Sequence, residues 1–136
     1  MNEPITLMLP WPPSVNGYWV PSVAFRKGTR KAYGYLRLSA EAEAYRGRVM
    51  RMLQERQAEP IRGRCIVRVR LSPPDKRRRD IDNYHKPLLD ALTHAGVWGD
   101  DSQAVELHTE WKKMCRGGRV SITVEVLTDP QGQLFE

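Results

Sequence analysis

Two carboxylates, Asp80 and Asp82, stand two positions apart in the segment Arg77-Arg78-Arg79-Asp80-Ile81-Asp82-Asn83-Tyr84-His85-Lys86-Pro87, between an arginine run and a lysine. Carboxylates about 4 Å apart repel by about 4 kcal/mol at an effective dielectric near 20, so a close pair ordinarily needs a cation between its members. Mg²⁺ takes one or two carboxylates, keeps several waters and fills its remaining positions with phosphate oxygens, which a basic flank recruits. The residue types therefore point to a nuclease centre in which metal-activated water attacks a phosphodiester. Lys86, one helical turn past Asp82, can set its ammonium against the phosphate or the charge that develops on it. The same lysine can instead pair with Asp90 at i,i+4, worth about 0.2 to 0.5 kcal/mol. Asp82 and Asn83 have an alternative role as helix caps.

The elements that must position these groups are short. Ile5 to Leu9 reads as an opening strand stopped by Pro10-Trp11-Pro12-Pro13, because proline cannot extend a ladder. Residues 14 to 35 show no steady period and read as a flexible excursion carrying the basic cluster Arg26, Lys27, Arg30 and Lys31. Ser39 is a plausible N-cap for a helix with Tyr45, Val49, Met52 and Leu53 on one stripe, ending before Pro60. From Cys65 to Leu71, apolar residues alternate with Arg64, Arg68 and Arg70, the period of a half-buried strand. Glu106, Glu110 and Glu125 on two later strands offer cross-strand partners to those arginines. Gly117-Gly118 predicts a tight antiparallel hairpin between the last two strands, with Lys112, Lys113, Arg116 and Arg119 at its tip. A second helix is expected over Asn83 to Ala95, with Pro87 confined to its first turn and Gly96 as its stop. These elements predict one small α+β domain: a mixed, largely antiparallel sheet with two main helices.

The chain has 136 residues, enough for one domain with a real core. Twenty-two Lys and Arg against sixteen Asp and Glu give a net charge of +6 and a pI near 9.6, which favours a polyanionic partner. Cys65 and Cys115 show neither metal-ligand spacing nor a disulfide framework, so a reducing cytoplasm is the expected location. No apolar run is long enough to cross a bilayer, and the opening Met1-Asn2-Glu3-Pro4 lacks a secretory pattern. The three histidines have no joint metal spacing, and His85 is expected as an exposed helix residue. Trp98 is expected to anchor the core, and Trp11 and Trp19 either to pack the proline-rich loop or to stack on a splayed nucleic-acid base.

The quoted segment, Leu9-Pro10-Trp11-Pro12-Pro13-Ser14-Val15-Asn16, and Ala95-Gly96-Val97-Trp98-Gly99-Asp100-Asp101 together resemble the RusA family of Holliday junction resolvases. The ordered set of motifs, rather than any one, carries the resemblance, which spans nearly the whole chain. It implies a small, homodimeric, Mg²⁺-dependent endonuclease, with Mn²⁺ as a substitute, that cuts four-way branched DNA by paired symmetric nicks. It also implies metal-binding aspartates at Asp80, Asp82 and Asp101 and an essential lysine at Lys86. The basic insertion around residues 26 to 31 and the tail past the last strand depart from the family pattern. DNA phosphates are expected at Arg26, Lys27, Arg30, Lys31, Lys76, Arg77, Arg78 and Arg79. The alternatives are a non-catalytic binder of branched DNA and a metal nuclease of broader specificity.

Geometry adds a constraint. About thirteen helical residues at 1.5 Å each carry the chain about 20 Å from Asp82, so the six residues from Gly96 to Asp101 must double back in near-extended form. Otherwise a partner chain supplies the third carboxylate. The domain is placed at residues 1–128 and a flexible tail at 129–136. In that tail Gln131, Leu134 and Phe135 resemble the Gln-x-x-Leu-Phe peptide with which bacterial replication proteins dock on the sliding clamp.

Overall fold

The computed structural model describes residues 3–56 and 58–127. Among these residues six strands, β1 (Ile5–Pro10), β2 (Trp19–Phe25), β3 (Ala32–Leu38), β4 (Cys65–Ser72), β5 (Ala104–Trp111) and β6 (Arg119–Val126), accompany two α-helices, α1 (Ala40–Gln54) and α2 (His85–His94). Four strands form one sheet in the order β1-β6-β4-β5, and β2 with β3 forms a separate two-stranded ribbon. The fold is α+β, as the alternating and helical periods predict.

β4 takes a central place because its inward series Cys65, Val67, Val69 and Leu71 is fully buried. These side chains meet Val120, Ile122 and Val124 of β6, Leu7 and Leu9 of β1, Tyr45 and Val49 of α1, and Leu88, Ala91 and Leu92 of α2 in one core. On the other face the strand arginines pair across the sheet as charge alternation predicts. Arg68 reaches Glu125 at 3.1 Å and Arg70 reaches Glu110 at 3.3 Å, on opposite neighbours.

The expected hairpin between the last two strands does not form. β4 lies between β5 and β6, antiparallel to β6 and parallel to β5. A parallel neighbour requires a crossover, and α2 supplies it. The connection after β5 instead crosses the end of β4: the Lys112 N–H donates to the Leu71 carbonyl at 2.7 Å and the Cys115 N–H to that of Pro73 at 3.0 Å. Inserting β4 buries its apolar series on two sides, which a local hairpin would have left at the edge. Gly117 and Gly118 do adopt positive φ. A Cβ on Gly118 would lie 3.0 Å from Trp11 and Pro74, so this glycine serves a close approach as well as a turn.

Residues 14 to 35 also differ from expectation, because most of them belong to the β2–β3 ribbon. The turn is closed by the Arg26 N–H on the Lys31 carbonyl at 2.9 Å, with Gly28 at φ 77°. Both ribbon faces are largely exposed, so burial imposes no apolar alternation from which strands could be read. α1 starts as predicted, with the Ser39 hydroxyl accepting from the Ala42 N–H at 3.1 Å. α2 starts after a 3-10 turn, Ile81–Tyr84, which leaves Pro87 in the first helical turn, where few amides have intrahelical partners. It stops at Gly96, whose N–H meets the Thr93 carbonyl at 3.0 Å while the Val97 N–H meets that of Leu92 at 3.0 Å.

Candidate active site

The arginine run sits in the loop from β4 to α2, and Asp75 organises it. Its carboxylate accepts from the Arg77 backbone N–H at 3.0 Å, from Arg77 Nε at 3.2 Å and from Arg79 Nη2 at 2.6 Å. Bonds from Arg77, then Arg79, hold its carboxyl well below the usual range. Arg79 is only 11% exposed, donates further to the backbone carbonyls of Asp75 and Arg77, and lies 5.7 Å from the centre of the Trp11 ring. It is a strut of the loop. Arg77 projects with 81% exposure while keeping its ion pair to Asp75. Lys76 and Arg78 are exposed. One cleft runs between this loop, Trp111 and Met114, and another between the loop, Trp11, Pro13 and Glu41.

Asp80 closes the loop in extended conformation, and its backbone carbonyl accepts from the Asn83 N–H at 3.2 Å. Its side chain makes no capping bond. Asp80 and Asp82 are both exposed. Beneath them Tyr84 is buried, 4.9 Å from Trp11 and 6.4 Å from Trp111 between ring centroids, so an aromatic floor fixes the turn that presents the two aspartates. Trp11 thus packs the proline-rich loop, while Trp19 is 43% exposed on the ribbon. His85 is not the exposed helix residue expected from sequence. Half-buried, it meets Thr109 Oγ1 at 2.7 Å and ties α2 to β5. Burial lowers its pKa, against the opposing charge of Asp82.

The return to Asp101 rests on two side chains. Trp98, 1% exposed, donates Nε1–H to Thr93 Oγ1 at 2.6 Å and folds the segment back on α2. Gln103 accepts the N–H groups of Gly99 and Asp100 at 3.0 and 3.2 Å, and donates to the carbonyls of Ile61 and Gly63, both at 2.9 Å. Asp100 caps the 3-10 turn Asp101–Gln103 by accepting from the Ser102 N–H at 3.3 Å, and this bond lowers its pKa. Its neighbour Asp101 opens the same turn and shares a hydrogen bond with Asp100. Burial, then a hydrogen bond with Asp100, raises the Asp101 pKa, and the Lys86 charge opposes the rise.

Asp101 therefore returns to the electrostatic range of Lys86 and Asp90 on α2. Lys86 Nζ lies 3.2 Å from Asp90 Oδ1, the i,i+4 pair that the spacing allows, and Asp90 Oδ2 accepts the Tyr18 hydroxyl at 2.5 Å. Burial, then this bond, raises the Tyr18 pKa. Among the described residues no three His, Cys, Asp or Glu side chains stand together as a ready metal cluster, so the single chain does not by itself assemble Asp80, Asp82 and Asp101 into one. The donors are nonetheless hard oxygens, two of them exposed at the mouth of a basic loop, and that chemistry suits Mg²⁺ completed by water and phosphate. Sequence reasoning missed Tyr18 and Gln103. The Asp100-x-x-Gln103 spacing is a capping-box signal that could have found the second.

Arg26, Lys27, Arg30 and Lys31 lie at the ribbon tip, away from the arginine loop in sequence, and all four are exposed. Gln131, Leu134 and Phe135 fall outside the described residues.

The family model described as "Endodeoxyribonuclease RusA" matches residues 16–125. The chain is 36% identical over 124 residues to the crossover junction endodeoxyribonuclease RusA of Escherichia coli (strain K12), covering 88% of this chain and 92% of that protein. The protein of the same name from Shigella sonnei (strain Ss046) gives the same figures. The phage counterpart, from Enterobacteria phage 82, is 38% identical over 123 residues, covering 87% of this chain and 91% of its own.

Proposed function

This chain belongs to the RusA family of endodeoxyribonucleases, and from that membership we propose that it resolves four-way DNA junctions by paired, symmetric, Mg²⁺-dependent nicks. The observation that carries the reading is the exposure of Asp80 and Asp82 on a rigid turn beside Lys76, Arg77 and Arg78. Two exposed carboxylates next to exposed cations suit an ion shared with a phosphate.

Asp80, Asp82 and Asp101 would hold Mg²⁺, with Mn²⁺ as a substitute. When bound, the metal lowers the pKa of a coordinated water and neutralises charge on the scissile phosphate. The chain's own residues do the rest. Lys76, Arg77 and Arg78, with the ribbon-tip cations, bind phosphate oxygens and set the register of the strand. Lys86, held by Asp90, presents an ammonium to the charge that develops on the phosphate. Gln103 and Trp98 fix the turn that carries Asp101, and Asp100 shares its hydrogen bond.

Paired nicks need two centres, and an isologous homodimer matches the approximate two-fold symmetry of a four-way junction. The absence of a ready three-carboxylate cluster among the described residues leaves two routes for Asp101: approach within its own chain when metal and DNA bind, or donation across the dimer. Mixing inactive Asp82→Asn and Asp101→Asn chains separates them, since recovered nicking requires a site built from two chains.

The primary test incubates the purified protein and Mg²⁺ with labelled four-way junction, flap and linear duplex, followed by a denaturing gel. Paired nicks confined to the junction support the reading. Nicks in all branched substrates indicate a broader nuclease, and binding without nicks a non-catalytic protein. For the tail, Gln131, Leu134 and Phe135 support a sliding-clamp peptide by sequence alone. Clamp pull-down unchanged by Leu134→Ala and Phe135→Ala together would remove it.

A further inference from the structure

The β2–β3 ribbon contributes little to the core, and its two faces differ. Residues paired across the ladder share a face. One face carries Tyr33, Tyr35 and Arg37 opposite the small residues Ala24 and Ser22 and Val20. The other carries Phe25, Val23 and Leu36, each more than 60% exposed. On the first face the tyrosine rings lie 6.1 Å apart and remain 48% and 43% exposed, while Arg37 Nε donates to Ser22 Oγ at 2.6 Å and stiffens the ladder beside them. An isolated two-stranded ribbon is marginal in water, so one that projects aromatic rings is suited to gain stability from a partner.

Its charge says which partner. From Val15 to Ser39 the chain holds five cations, Arg26, Lys27, Arg30, Lys31 and Arg37, and no acidic residue. Four of them crowd the tip, where the Arg26 and Thr29 amides are tied into the turn. Two such ribbons from two copies would repel if packed together, whereas a polyanion neutralises both. Cations along a track with aromatic rings between them are the chemistry that binds unpaired nucleotides, phosphate to cation and base to ring.

We propose that the β2–β3 ribbon is a DNA-engaging arm whose tip cations hold backbone phosphates and whose Tyr33 and Tyr35 stack on bases unpaired at the branch point. The assignment rests on the junction-resolving reading above and deepens it, giving the chain a means of recognising the branch that is separate from the aspartates. Such an arm discriminates by base accessibility rather than by sequence, because every base presents a π-face.

The test is a metal-free titration of the full-length protein against three DNAs. They are a four-way junction with 2-aminopurine at the crossover, a duplex with a central unpaired loop, and an intact duplex. Four proteins are compared: wild type, Tyr33→Leu with Tyr35→Leu, Tyr33→Phe with Tyr35→Phe, and the opposite-face control Val23→Ser with Leu36→Ser. Stacking is worth about tenfold or more per base. The leucine variant should therefore bind the junction and the looped duplex at least about tenfold more weakly, lose the 2-aminopurine response, and bind the intact duplex within about twofold of wild type. The phenylalanine variant should retain both, and the opposite-face control should match wild type. An equal loss on all three DNAs, as a ribbon lying in a duplex groove would give, overturns the proposal. So does an unchanged leucine variant, or loss of branch preference in the opposite-face control with a change of sedimentation, which would make the ribbon a contact between copies. Arm-dependent binding by a wild-type protein that fails to nick junctions in Mg²⁺ would sink the nuclease reading and leave the arm standing.

Discussion

The Lys86 ammonium lies 3.2 Å from the Asp90 carboxylate, one turn along α2. Asp90 is in turn fixed by the buried Tyr18 hydroxyl at 2.5 Å, so the turn between the proline-rich loop and β2 reaches the lysine through one intermediary. Asp101 feels the charge of both α2 residues. The lysine is thus held in a defined place while half of it remains exposed.

Lys86→Ala should separate stability from chemistry. The part-exposed i,i+4 pair is worth about 0.2 to 0.5 kcal/mol, so urea denaturation should shift little. Junction nicking should fall by about a hundredfold or more, as expected when one electrostatic contact to a transition state is removed. Asp90→Asn, which keeps an acceptor for Tyr18 but no charge for Lys86, should cost about 10- to 100-fold with junction affinity retained. A large loss of stability in Lys86→Ala with normal nicking would reduce the pair to a structural one.

The arginine loop should be insensitive to pH near neutrality. Its Asp75 carboxyl is held low by Arg77 and Arg79. A depressed folded pKa contributes stability above the unfolded value of about 3.9 and loses it as pH falls through the folded value. The difference in melting temperature between wild type and Asp75→Asn should therefore be flat from pH 7 to about 5 and shrink below about 4. Paired melts across that range test it. A difference that grows on acidification would contradict the assignment.

Gln103→Ala removes four hydrogen bonds at once, leaving the Gly99 and Asp100 amides and the Ile61 and Gly63 carbonyls to find other partners. The unmet partners should cost about 1 to 3 kcal/mol in chemical denaturation. Because the same bonds carry the turn to Asp101, the Mg²⁺ concentration for half-maximal nicking should rise as well. Stability lost without that rise would mean that Asp101 is placed by Trp98 alone.

Much of this was legible because it follows from local rules. The Arg68 and Arg70 pairings, the Ser39 cap, the Gly96 stop and the Trp98 anchor each rest on spacing or on one side chain's chemistry. What escaped was non-local or, in the ribbon, unburied. The insertion of β4 between β5 and β6 is a choice among pairings that all satisfy the same alternation, and Gly117-Gly118 suggested the wrong one because a glycine pair also permits a close approach to Trp11. The β2–β3 ribbon escaped because neither face is buried. Tyr18 bonds to a residue 72 positions away, and no spacing encodes that. His85 looked like a surface residue until Thr109, on a strand placed by the parallel crossover, met its ring.

The most direct test of the account is single-turnover cleavage of a labelled four-way junction by Asp82→Asn in Mg²⁺, with binding measured alongside. The amide preserves size and hydrogen bonding but removes the charge needed by a hard divalent ion. The account predicts junction affinity close to wild type with nicking reduced by about a thousandfold or more. Nicking at the wild-type rate would contradict it.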